Sequence, residues 1–174
     1  GTAFGYSAAW LASGAPEATI TTLNPKQHEA AGARKNLTPW SNVEVVEMTS
    51  VDFYHQLDVG LEHGMIFIDG DHKHVAADLI YWNAVKPGGY IVFHDYAPEN
   101  SGRPCPPAFD TLNKVREALK RPFDVEVIDS ELVGLVGFQR RENETWASLS
   151  VPTDYAPWKV QYQPVKKWVV NDGD

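Results

Sequence analysis

Two short runs in the middle of the chain, Met65-Ile66-Phe67-Ile68 and Tyr90-Ile91-Val92-Phe93, are apolar at every position. A strand with one wet face alternates apolar and polar residues. A run that is apolar throughout has to be covered on both faces. The pattern around these runs supplies the cover, because strand-like and helix-like stretches alternate along the chain. Tyr6 to Ala12 reads as a helix, stopped by Ser13-Gly14-Ala15-Pro16. The β-branched stretch from Ala18 to Leu23 reads as a strand, and the alanine-containing stretch from Pro25 to Leu37 as a helix. A strand over 43–48, a helix over 52–62, the strand 65–68, a helix over 75–85 and the strand 90–93 follow. Pro87-Gly88-Gly89 marks a turn between the last two. Residues 107–119 form a helix with proline near its start and Pro122 beyond its end. The stretches 123–128 and 132–138 read as an antiparallel pair.

Strands that alternate with helices imply an α/β fold, a Rossmann-like doubly wound and mostly parallel sheet. The final pair adds an antiparallel strand near its C-terminal end. A chain of 174 residues has room for one such domain with a sizeable core. We assign residues 1–141 to that core. Residues 142–174 differ in texture, with Trp146, Trp158, Trp168, Tyr155, Tyr162 and three prolines. They read as an arm that packs on its own domain or on a partner chain, so a homo-oligomer formed through this arm is expected.

Fifteen Lys and Arg against 23 Asp and Glu leave a formal charge of −8. Phosphate backbones repel a chain of that sign, and no nucleic-acid partner is expected. The sequence has no run of about 18 apolar residues and no charged-then-apolar leader, so neither a membrane partner nor a signal peptide is expected. The single cysteine, Cys105, rules out an intrachain disulfide and reads as a bystander in a proline-rich loop. These features together give a cytoplasmic expectation.

Ligands of open parallel sheets bind beyond the carboxyl ends of the strands. The polar residues at those ends are Asn24, then Thr49 and Ser50, then Asp69 and Asp71, then His94 and Asp95. Asn, Asp and Ser also favour turns and helix caps for purely structural reasons. Four ionisable groups beside buried strands are costly unless they bind something, and Asp69, Asp71, His94 and Asp95 are such a group. Gly1-Thr2-Ala3-Phe4-Gly5-Tyr6-Ser7 is a glycine loop entering a helix, where backbone can approach a ligand closely. His28, His55 and His63 lie on helix surfaces and get no role, and His74 reads as exposed at a helix start.

The loop GTAFGYS resembles the S-adenosylmethionine-binding motif of class I methyltransferases. The block FIDGDHKHVAADLIYW, followed by KPGGYIVFHDY, is similar to the signature of the small-molecule O-methyltransferases of macrocin, catechol and caffeoyl-CoA type. The resemblance spans about Gly1 to Arg140. It implies transfer of a methyl group from S-adenosylmethionine to a small-molecule acceptor, a hydroxyl. Gly1, Thr2, Gly5, Tyr6 and Ser7 would line the methionine part of the cofactor. Thr49 and Ser50 would lie near the adenine, and Asp69 and Asp71 would face the cofactor and reaction centre. Asn24 stands where the family has an acidic residue that grips the ribose. Asn accepts a hydrogen bond without the charge. The family also has a first strand ahead of the glycine loop, central in the sheet, and this sequence shows none. Residues upstream of Gly1, or another subunit, are expected to fill that place.

Two mechanisms fit these residues. In one, Asp69, His94 and Asp95 hold a divalent metal. Oxygen ligands suit magnesium, and a histidine shifts the preference toward a transition metal. In the other, His72 or His94 is the general base, with Asp69 beside the reacting groups. Two further readings stay open. A nicotinamide oxidoreductase needs GxGxxG and an acid about 20 residues on, which GTAFG and Asn24 do not supply. A catalytically degenerate methyltransferase fold would serve as a binding or scaffold module.

Overall fold

A computed structural model describes residues 1–57, 62–98, 101–127 and 134–145. In chain order the elements are α1 (Tyr6–Gly14), β1 (Ile20–Leu23), α2 (Gln27–Asn36), β2 (Val43–Val46), α3 (Ser50–Tyr54) and β3 (His63–Ile68). They continue with α4 (Val75–Asp78), a 3-10 helix (Leu79–Ala84), β4 (Val85–Tyr96), α5 (Pro106–Leu119), β5 (Val125–Val127) and β6 (Gly134–Gln139). The expected alternation is therefore present. No helix among the described residues is long and apolar enough to cross a membrane.

β1 and β2 pair in parallel, with Ile20 opposite Val43 and Leu23 opposite Val46. β3 and β4 also pair in parallel, with Met65 opposite Tyr90 and Ile68 opposite Phe93. β6 runs antiparallel between β4 and β5, so the second sheet has the order β3-β4-β6-β5. The mostly parallel sheet with a late antiparallel strand is thus observed, but in two pieces. Among the described residues no strand lies between β1 and β3.

Each sheet has its own core. Trp82, Phe93, Phe138, Leu79, Ile91, Leu112, Val85, Val115 and Val136 are fully buried around β3–β6. Each such side chain stabilises the fold by roughly 1.5–3 kcal/mol through removal of apolar surface from water. The 75–84 segment and α5 cover one face of β3 and β4, where Ile66, Ile68, Ile91 and Phe93 pack. On the other face Met65 is 46% exposed and lines a cavity with Phe67, so among the described residues MIFI is not covered on both faces as its composition led us to expect. The other core is small, with Ala8, Ala33 and Leu37 buried and Trp40, Val43 and Val45 packed against them.

Three segments depart from the sequence expectation. The helix expected over 52–62 starts at Ser50 and ends at Tyr54. Thr49 caps it by accepting from the Asp52 amide, and 58–61 lie outside the described residues. The helix expected over 75–85 is α-helical for one turn only and then tightens to 3-10. Residues three apart eclipse in a 3-10 helix. That stacks Leu79 on Trp82 into the core and points Asp78 and Tyr81 toward Ser50. The strand expected over 90–93 is the middle of a twelve-residue strand. Residues 128–133, the turn of the expected antiparallel pair, lie outside the described residues, as does 146–174, most of the aromatic arm.

Candidate active site at the carboxyl ends of the strands

The register of β3 on β4 builds the site. Ile68 pairs with Phe93, so one further residue on each strand sets Asp69 beside His94. Successive side chains of a regular strand point to opposite faces, which would send His94 and Asp95 apart. The strand is irregular at this point, because the pairing of β4 with β6 shifts between Phe93 and Tyr96. Asp95 is left-handed, with φ 62°. This local break turns both side chains toward Asp69. His94 Nδ1 is 3.5 Å from Asp69 Oδ1 and 3.1 Å from Asp95 Oδ2. His72 Nδ1, from the loop after β3, is 2.7 Å from the same Asp95 Oδ2.

These contacts are close but not all aligned. His94 Nδ1 and Asp95 Oδ2 are shut off from solvent and have no aligned hydrogen-bond partner. Buried polar atoms in that condition are costly. One ligand atom each from Asp69, His94 and Asp95 lies within 4.8 Å of the others, the spacing of a cation site. Two carboxylates and an imidazole suit a divalent ion, and the orphaned atoms are the ones that would face it. The residues therefore fit a metal.

A cavity of about 980 Å³ adjoins this cluster. At the carboxyl ends of the strands its wall includes Gly1, Thr2, Ser7, Thr49, Ser50, Asp69, Gly70 and Asp71. From there it continues between the facing edges of β1 and β3, past Ile20 to Leu23 and Met65 to Ile68, to Thr19 and His63 at the opposite end. Asp69 belongs to both the cavity wall and the cluster.

The glycine loop is shaped by its neighbours. Gly5 has φ 96°, a conformation L side chains rarely adopt, and a Cβ there would come within 2.9 Å of Leu37 Cδ1. Thr2 is buried, its amide donates to the Leu23 carbonyl, and its hydroxyl pairs with that of Thr22 at 2.7 Å. Tyr6 turns away from the cavity and is 77% exposed, edge-on to Trp10. Asn24 is buried behind the wall. Its amide donates to Glu29 Oε2 and its Oδ1 accepts from the Lys26 amide. That bond, with Lys26, holds the Glu29 carboxyl below the usual range. Asp71 lines the cavity but also closes a turn, accepting from the Lys73 amide and meeting His74 Nδ1 at 2.9 Å. The His74 contact, followed by the Lys73 amide, lowers its carboxyl. Of the expected lid over 97–107, Ala97 is buried and accepts from the Cys105 amide, while 99–100 lie outside the described residues.

Two wall residues were missed by sequence reasoning. Asp78 is nearly buried, and its Oδ1 accepts from Ser50 Oγ at 2.5 Å. Tyr81 donates to the Ser50 carbonyl at 2.5 Å. Burial raises both groups above their ordinary range. The signal was an acid on the apolar stripe of Val75, Leu79 and Trp82.

Residues 1–96, more than half of the chain, match the model of a family described as a methyltransferase domain. No curated protein matches the sequence. Among solved structures, the cofactor-bound Rv0187 from MTB is 28% identical with a TM-score of 0.66, covering 82% of this chain and 71% of that one. The O-methyltransferase from Bacillus cereus, solved in complex with SAH, is 23% identical with a TM-score of 0.62, covering 79% and 70%. The O-methyltransferase TomG from Streptomyces achromogenes, solved with SAM, is 19% identical with a TM-score of 0.61, covering 80% and 70%. At their identities the last two attest a shared fold alone. Fold, strand-end geometry and family match agree, and the chain belongs to the methyltransferase-domain family as a class I S-adenosylmethionine-dependent methyltransferase.

Proposed function

We propose that this protein moves a methyl group from S-adenosylmethionine to a hydroxyl of a small molecule, with Asp69, His94 and Asp95 holding a divalent cation. The observation that carries this reading is the convergence of those three side chains, beside the cavity wall to which Asp69 alone of them belongs, with two of their buried polar atoms orphaned. An oxygen acceptor is in keeping with the chemistry of the Bacillus cereus and Streptomyces achromogenes proteins of like fold, both O-methyltransferases.

Methyl transfer from a sulfonium is an in-line displacement. The protein has to align acceptor oxygen and methyl carbon, keep water out, and take up the acceptor's proton. Gly1, Thr2 and Ser7 would hold the methionine end of the cofactor. Thr49 and Ser50 would hold the adenine end. Asp69, His94 and Asp95 would hold the cation, which would supply Lewis acidity toward an acceptor hydroxyl. We assign the proton to His72, whose Nδ1 lies 2.7 Å from Asp95 Oδ2 and whose other ring nitrogen would take it from the acceptor.

Methyl transfer to a catechol or sugar hydroxyl panel, followed with and without excess chelator, tests the reading. We expect activity to vanish in chelator and return with magnesium or manganese. Asp95→Asn should lower kcat/KM at least ~10-fold, equivalent to about 1.4 kcal/mol. Full activity in chelator would overturn the metal and leave His72 as an unassisted base.

A further inference from the structure

Three hydroxyls cluster where β2 runs into α3, and each has its one hydrogen committed to the protein. Thr49 Oγ1 donates to Asp52 Oδ2 at 2.8 Å. Ser50 Oγ donates to Asp78 Oδ1 at 2.5 Å. Tyr81 donates to the Ser50 carbonyl at 2.5 Å. A hydroxyl has a single hydrogen and two lone pairs, so what Ser50 keeps for a ligand is acceptor capacity alone. Asp78 adds a second acceptor. It lines the same cavity, and its Oδ2 sits 3.5 Å from where a Cβ on Gly70 would stand. Asp78 and Tyr81, three apart on one face of the 75–84 segment, thus grip Ser50 by its hydroxyl and its carbonyl.

We propose that Asp78 is a positioning residue that sets the hydrogen-bond polarity of Ser50, so that this corner selects a ligand bringing a donor, the exocyclic amino group of an adenine, and rejects the 6-oxo counterpart. The inference rests on the cofactor reading above and goes beyond it, because it assigns purine selectivity to a side chain that need not contact the methionine or the reacting atoms. The selectivity comes from mismatch. A 6-oxo group would oppose the acceptor lone pairs of Ser50 and Asp78, leaving all of them buried and unpaired. Asparagine at 78 disturbs the relay in either amide orientation. With Nδ2 toward Ser50 the hydroxyl hydrogen would be released toward the ligand, and with Oδ1 toward Ser50 the second acceptor of the corner would become a donor.

The test is calorimetric titration of the whole chain with S-adenosylhomocysteine and with S-inosylhomocysteine. The native protein is expected to favour the adenosyl compound at least ~10-fold. Asp78→Asn is expected to erase or invert that ratio, and Ser50→Ala to shrink it without inversion. Circular dichroism establishes that each variant is folded, and the Ser50→Ala and native titrations decide the matter if Asp78→Asn does not fold. A merely structural Asp78 would weaken both compounds by the same factor and leave their ratio unmoved. An unchanged ratio in folded Asp78→Asn, or equal affinities in the native protein, overturns the proposal. Binding of neither compound overturns the cofactor reading and this proposal with it.

Discussion

At the scale of single residues, the reaction centre depends on one backbone conformation. Asp95 is left-handed, and that twist is what sets its carboxylate beside His94 rather than on the opposite face of β4. A left-handed residue with a Cβ costs about 1–2 kcal/mol relative to glycine. Aspartate tolerates it better than most. The backbone term can be isolated by comparing two variants that both lack the carboxylate. Asp95→Gly should be more stable than Asp95→Ala by about 1 kcal/mol in denaturant titration. Equal midpoints would mean that the site does not hold this conformation. The residue types were legible in the sequence, since Asp69, His94 and Asp95 all follow apolar strands. The bend that joins them was not, because nothing in His-Asp-Tyr announces a left-handed aspartate. Asn24 shows the opposite limit. Its place after β1 was legible, but its commitment to Glu29 and Lys26 depends on how α2 packs.

At the scale of elements, helix and strand order followed from periodicity and punctuation. Pro106 and Pro107 open α5, and Lys120 closes it in a left-handed cap before Pro122. The 75–84 segment was legible as helical but not as 3-10, because that choice is made by what Asp78, Tyr81 and Trp82 reach in three dimensions. The tight antiparallel seam of β4 with β6 was likewise invisible, although its requirement is a single glycine. A Cβ on Gly137 would meet Ile91 O at 2.9 Å and Val92 Cα at 3.3 Å, both backbone. Gly137→Ala should therefore cost about 1–3 kcal/mol by overpacking. Gly14, at the end of α1, has open space around it. Gly14→Ala should be neutral or stabilising by up to ~1 kcal/mol. Thermal midpoints of the two variants check both, and a Gly137→Ala protein as stable as the parent would contradict the seam described here.

At the scale of the whole molecule, the notable fact is the division of one expected sheet into two. The β1–β2 half has a small alanine-rich core, and the β3–β6 half has nearly all of the large buried side chains. Among the described residues the two halves are joined through α3, whose Ser50 bonds to Asp78 and Tyr81 and whose Phe53 and Tyr54 pack against the larger core, and through Gly1, which lies beside the Asp69 carbonyl. Separate cores joined through one short helix and a loop lose cooperativity. Scanning calorimetry of the ligand-free chain should show two transitions, the β1–β2 half melting first. The cofactor would touch both halves at once, through Thr2 and Ser50 on one side and Asp69 on the other. Ligand bound only by the assembled state stabilises that state by mass action. Saturating S-adenosylhomocysteine should therefore raise the lower transition toward the upper one until they merge. A methyl donor in this protein would then be more than a reagent: it would be the keystone that makes two subunits of structure melt as one.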